Sequence, residues 1–192
     1  MDPFLRRPPA RAVGVRGAAP GDAGEIARVQ RVTWTVAYRD LLPAAVLEAW
    51  DDDGTARAWT AAIATPPSGA HRVLVAVDGG TVVGFAAVAP AEEVAATGEL
   101  VTLVVEPRWG RRGHGSRLLA AAADGAREAG VRRLIMWVPE VDQVTARFLG
   151  SAGWALDGSA RSLDAGTATI RQLRWHTLLD DDRAAAENEG AP

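Results

Sequence analysis

The spacing of apolar residues changes repeatedly along the chain, and the changes mark out its elements. Residues 12–16 alternate, which predicts a first strand. Over residues 21–39, Ile26, Val29, Val32 or Thr33, and Val36 recur at helical spacing, so an amphipathic helix is expected with Asp22 as its N-cap. Pro43 is placed to open a second helix through Leu47 and Trp50. The pattern leaves open whether that helix runs on past residues 51–54 to Ile63. Thr65-Pro66-Pro67-Ser68-Gly69 breaks the chain. Two β-rich runs, 72–77 and 81–89, then flank Asp78-Gly79-Gly80, a strong hairpin signal.

Residues 99–106 form another predicted strand, ended by Pro107. A helix over 113–129 places Leu118, Leu119 and Ala122 on one stripe and stops at Gly130. The unbroken apolar stretch 134–138, within a strand over 132–138, predicts burial on both faces and puts Trp137 in the core. A helix over 141–152 ends at Gly153, and strands 154–156 and 167–177 complete the order. The resulting β-α-α-β-β-β-α-β-α-β-β sequence predicts an α/β fold, a mixed sheet with helices on its faces. One domain is expected over residues 12–179. Residues 1–11 and the acidic, Ala-rich 180–192 are expected to be flexible flanks.

Composition changes this picture little. Hydrophobic residues make up 48% and charged residues 23%, as in soluble globular proteins. No apolar run approaches the ~20 residues of a membrane span, and the opening residues lack the apolar stretch of a secretory signal. The absence of cysteine removes disulfides, thiolate metal sites and cysteine nucleophiles, and suits the cytoplasm, where we expect the protein. Acidic residues outnumber basic ones, 24 to 21, which argues against a nucleic-acid partner. His71, His114 and His176 show no ligand spacing, so no metal is predicted.

The chemistry concentrates in Val104-Val105-Glu106-Pro107-Arg108-Trp109-Gly110-Arg111-Arg112-Gly113-His114-Gly115-Ser116-Arg117. A strand ends, a Gly/Arg loop follows, and a helix begins. The first amides of a helix have no intrahelical partner and lie at the positive end of its dipole, so they bind phosphate when side chains leave room. Gly113 and Gly115 leave that room, and Arg111, Arg112 and Arg117 add charge. A Walker loop would require a lysine, and the chain has none. A dinucleotide fingerprint would need glycine where Leu118 stands, and it normally follows the first strand of its unit.

The same segment resembles the acyl-CoA-binding motif of the GNAT acetyltransferase superfamily, R/Q-x-x-G-x-G/A after a Val-x-Pro strand end. The resemblance spans about residues 12–178 in element order and is most specific from Glu99 to Trp154, through Val131-Arg132-Arg133-Leu134-Ile135-Met136-Trp137-Val138 and Arg147-Phe148-Leu149-Gly150-Ser151-Ala152-Gly153-Trp154. Gly110 departs from the first R/Q position. The resemblance implies a splayed sheet and acetyl-CoA as co-substrate. It also implies that the backbone of Leu103, Val104 and Val105 pairs with the pantetheine arm. The amides of Arg111, Arg112, Gly113, His114, Gly115 and Ser116 would hold the pyrophosphate, although a solvent-facing side chain is expected for His114. Glu99 stands where several members carry their general base. Trp34 and Tyr38 fall where the family walls its acceptor pocket, and two core aromatics is the plainer reading of that pair. The acceptor implied is a small-molecule or peptide amine, and dimerisation is frequent in the family. Leu149 occupies the position of the family's usual tyrosine acid, and Asp142 that of a common asparagine. That substitution keeps a second reading in view, a CoA-binding sensor or partner-binding module with little turnover.

Overall fold

The computed structural model describes residues 12–37, 49–91, 95–164 and 169–179. Its strands are β1 (Val13–Gly17), β2 (Arg72–Asp78), β3 (Thr81–Pro90), β4 (Thr97–Val105), β5 (Arg133–Pro139), β6 (Ala155–Asp164) and β7 (Thr169–Leu178). Its helices are α1 (Ala23–Ala37), α2 (Asp52–Ala64), α3 (His114–Glu128) and α4 (Gln143–Ser151). The strands form one sheet in the order β1-β2-β3-β4-β5-β7-β6, antiparallel except where β4 runs parallel to β5. The predicted mixed α/β architecture is therefore observed.

Side-chain alternation sorts the core into two layers. On one face Ile26 and Val29 of α1, with Trp59 and Ile63 of α2, pack against Val75, Val82, Phe85 and Val104. On the other face Leu118, Leu119 and Ala122 of α3 and Leu149 of α4 meet Val83, Leu100, Leu134, Met136 and Val138. The β2–β3 hairpin turns through Gly79 and Gly80, both at positive φ, as the Asp-Gly signal requires.

Several boundaries differ from the sequence expectation for local reasons. Asp22 does not cap α1. It lies in a 3-10 turn (Pro20–Asp22), where its carboxylate accepts from the Ala19 amide at 2.7 Å and grips Arg16 at 2.6 and 2.8 Å. The Pro43 helix start falls outside the described residues. The open question about residues 51–63 resolves as a helix with its own beginning, since Asp51 caps α2 through the Gly54 amide at 2.9 Å. β6 runs ten residues where a strand over 154–156 was expected. Its positions are mostly exposed at the sheet edge, so no apolar period announces it.

Close packing beside β4 allows only glycine at residue 84. A Cβ there would lie 2.6 Å from the Val104 carbonyl oxygen and 3.2 Å from Val105 Cα, both backbone atoms. Gly84→Ala is expected to destabilise the protein by about 1–3 kcal/mol through overpacking, read as a lower urea midpoint. An unchanged midpoint would show that β3 and β4 separate without cost.

Candidate active site

β4 and β5 are hydrogen-bonded for only three rungs, Thr97 to Arg133, Gly98 to Leu134 and Glu99 to Ile135. Beyond Glu99 the strands continue to Val105 and Pro139 without pairing. The splay implied by the resemblance is present. It leaves one backbone edge of β4, including Leu103, Val104 and Val105, without a strand partner among the described residues, while the other edge is paired to β3. The departure coincides with an irregular β3–β4 register, in which Ala87 faces Thr102 and Val88 faces Leu100, so Val101 is the extra residue. Such a bulge bends its strand and re-aims side chains.

Past β4 the chain makes a 3-10 turn (Pro107–Trp109) and enters the glycine loop. Arg111 has φ 60° and Gly113 has φ 78°, so the backbone reverses twice within three residues. The Gly110 amide bonds Pro107 O and the Arg117 amide bonds Gly113 O, but the amides of residues 111–116 find no acceptor among the described residues. Arg117 Nη1 donates to the Arg112 carbonyl at 3.1 Å and so ties down an oxygen that would repel an anion. Arg111, Arg112 and Ser116 are exposed and Gly115 is half-buried. A Cβ on Gly115 would lie 3.5 Å from Phe148 Cζ and 3.9 Å from Leu103 Cδ2, so α4 and β4 already fill the space beneath it. The result is a row of free donors at a helix start, at the end of the strand with the open edge. That combination suits an extended ligand carrying phosphate at one end.

The His114 side chain does not face solvent as expected. It is 2% exposed, with Nε2 3.4 Å from Asp78 Oδ2 and its ring 6.2 Å from that of Trp109. The helix start thus points this side chain inward, under the β2–β3 hairpin, and leaves only the amide on the loop surface. Trp109 is half-buried and carries Arg112 on its ring at 4.9 Å. Below the loop, buried Glu106 receives Arg28 Nη1 at 2.8 Å and also Arg108, which anchors the end of β4 to α1. Burial opposes the charge on Arg28, but bonds to Glu106 and Glu25 outweigh it and raise its pKa.

Glu99 is half-buried on the last paired rung, on the α1–α2 face of the sheet. Trp34 lies on α1, its ring 5.4 Å from Trp50 and edge-on to it. Tyr38 lies outside the described residues. Leu149 is fully buried in the core beneath α3 and α4, and it offers no proton at the tyrosine position. Asp142, at the asparagine position, caps α4 through the Thr145 amide at 2.9 Å.

Trp137 corrects another expectation. It is half-buried rather than core, with Arg161 4.5 Å and Arg174 5.4 Å from its ring centroid. Strand period alone could not find this, because the covering arginines come from β6 and β7. His176 shows no ligand spacing in the sequence. The register puts it in one row with Glu99 through Ile135, and its Nδ1 is buried without a hydrogen-bond partner.

Asp157 binds Arg133 Nη2 and Arg174 Nε, both at 2.7 Å. Burial disfavours its charge, but the Ser159 amide and Arg174 outweigh that and hold the carboxyl below its ordinary value. This stabilisation is fully present above the unfolded aspartate value of about 3.9 and is lost as pH falls through the folded value. Asp157→Asn should therefore flatten the decline in stability below about pH 4, measured by urea melts across pH. An acid limb identical to wild type would contradict the assignment.

Two side-chain-lined hollows, about 180 Å³ by the end of α3 and about 410 Å³ under α4, contain no residue from 99–116. Among the described residues no cluster of His, Asp or Glu is arranged to hold a metal ion, and no helix is long and apolar enough to cross a membrane.

Residues 31–154 match the model of the acetyltransferase (GNAT) family. No curated protein matches the chain significantly. Among solved structures it is similar to PaiA N-acetyltransferase of Thermoplasma acidophilum in complex with coenzyme A, with TM-score 0.72 and 18% identity over 87% of this chain and 99% of that one. It is also similar to YncA of Salmonella typhimurium with its cofactor acetyl-CoA, with TM-score 0.67 and 19% identity over 88% and 95% of the two chains. A third likeness is to the ribosomal-protein-S18-alanine N-acetyltransferase of Escherichia coli, with TM-score 0.63 and 14% identity over 88% and 95%. At these identities the likenesses show the shared fold.

Proposed function

Since the chain belongs to the GNAT family of acetyltransferases, we propose that it transfers the acetyl group of acetyl-CoA to a primary amine of a small molecule or peptide by direct attack. The carrying observation is the strand β4 itself. It parts from β5 after Glu99, keeps an open edge to Val105, and leads into amides 111–116, which have no acceptor among the described residues. In this reading those amides and the arginines of the loop hold the pyrophosphate, and the edge at Leu103, Val104 and Val105 pairs with the pantetheine arm. Acetyl-CoA supplies the activated acyl group. Glu99 takes a proton from the acceptor ammonium, directly or through water, which frees the nitrogen lone pair for attack. Trp34 and Tyr38 wall the acceptor side. With Leu149 buried, the departing sulfur takes its proton from water or from the attacking nitrogen. The cytoplasm is the proposed compartment, and pairing with a second copy is a proposed assembly.

Thiol release from acetyl-CoA against an amine panel, with the acetylated amine identified by mass spectrometry, tests the reading. Buried Leu149 is the specific observation behind the alternative, a CoA-binding sensor or partner-binding module. Tight acetyl-CoA binding without thiol release for any amine would favour that alternative.

A further inference from the structure

The sheet face that carries Glu99 is electrically two-sided where β4 and β5 part. Register puts Ile135 beside Glu99, and alternation along β5 then sets Arg133 and Trp137 on the same face. Arg174 lies opposite Trp137 on β7, and Arg161 of β6 faces Gln172 of β7. Arg133 and Arg174 share one carboxylate, Asp157. Arg161 is exposed, lies over the Trp137 indole, and gives its Nε to the neutral Gln172 Oε1 at 2.7 Å. No carboxylate among the described residues bridges Arg161. Among the described residues, three guanidiniums against one carboxylate leave two positive charges on the β5–β7–β6 side, opposite Glu99 on β4.

We infer that the acceptor carries an oxyanion as well as its amine, and that Arg161, stacked on Trp137, binds the oxyanion. The inference deepens the proposed reaction and rests on it, because Glu99 marks the amine end. A guanidinium held flat on an indole keeps its remaining N–H donors in one plane, the arrangement that matches a carboxylate or phosphate edge. Gln172 occupies Nε alone, so the terminal donors stay available. Trp137 is the first residue on this face of β5 beyond the last paired rung, which brings the stacked arginine to the rim of the gap. Trp137, whose ring carries the Arg161 guanidinium, stands two residues along and one strand across from Glu99, on the order of 8 Å between the Trp137 and Glu99 Cα atoms. The acceptor is then about the size of an amino acid or dipeptide, and polycationic amines are disfavoured by the arginines.

The test uses the full-length protein with matched acceptors: glycylglycine beside glycylglycinamide, β-alanine beside its amide, and O-phosphoethanolamine beside ethanolamine, with spermidine as the polycation. At least one anionic member should exceed its neutral partner tenfold or more in kcat/KM, and Arg161→Gln should reduce that ratio at least fivefold. Carboxylate and phosphate acceptors are separated by which pair shows the preference. Preference for spermidine or for the neutral partners, or a ratio unmoved by Arg161→Gln, would overturn the inference while leaving acetyl transfer intact. Transfer to no amine at all would remove the proposed reaction and the inference with it.

Discussion

Glu99→Gln is expected to lower kcat/KM for acetyl transfer by about 10² to 10⁴, the contribution of a positioned general base, with the acetyl-CoA Kd within about twofold of wild type. The acceptor arrives as an ammonium at neutral pH and cannot attack until a proton leaves. Glu99 is half-buried on the final rung before the strands part, so its backbone is held by both neighbouring strands. Glutamine keeps the shape and removes the proton acceptor. A pH–rate profile for both proteins distinguishes a base from a structural glutamate, since without a base the rate follows the acceptor's own loss of its proton and its rise moves to higher pH. Turnover unchanged across pH would reject the assignment.

Gly113→Val should act on the other step. At φ 78° a β-branched residue is strained by about 1–2 kcal/mol, and its Cβ would lie 3.1 Å from Arg117 Nη1, the group that restrains the Arg112 carbonyl. Relief of that strain is expected to shift the loop amides. Losing one or two charge-assisted bonds, each worth about 1.5–3 kcal/mol, should raise the acetyl-CoA Kd about a hundredfold. The melting temperature should fall by only a few degrees. Calorimetric titration measures the first and a thermal melt the second. Wild-type affinity with a lowered melting temperature would mean the loop amides do not bind the cofactor.

The parts of this site that lie within one segment were legible in the sequence. The strand–loop–helix around Gly113 and Gly115 is local, and the proposal that it binds phosphate follows from helix-start amides and missing side chains. Positions fixed across the sheet were not. His114 looked solvent-facing between two glycines, yet the helix start turns it toward Asp78, some 36 residues earlier in the chain. Trp137 looked like core because its neighbours along β5 are apolar; only the β5–β7–β6 pairing shows that arginines cover it. β6 has no apolar period because most of its residues are exposed. Asp22 has the right residue type for a cap, but Arg16 and the Ala19 amide claim its carboxylate first.

Amide hydrogen exchange of the protein, with and without saturating acetyl-CoA, reports whether the β4 edge and the glycine loop hold one ligand together. Among the described residues the amides of 111–116 have no backbone acceptor and 101–105 lie on a strand with one open edge, so exchange in the free protein should be fast at the loop and measurable along the strand. Acetyl-CoA is expected to slow exchange in both segments together. Unchanged exchange in both, or slowing confined to another surface, would contradict this.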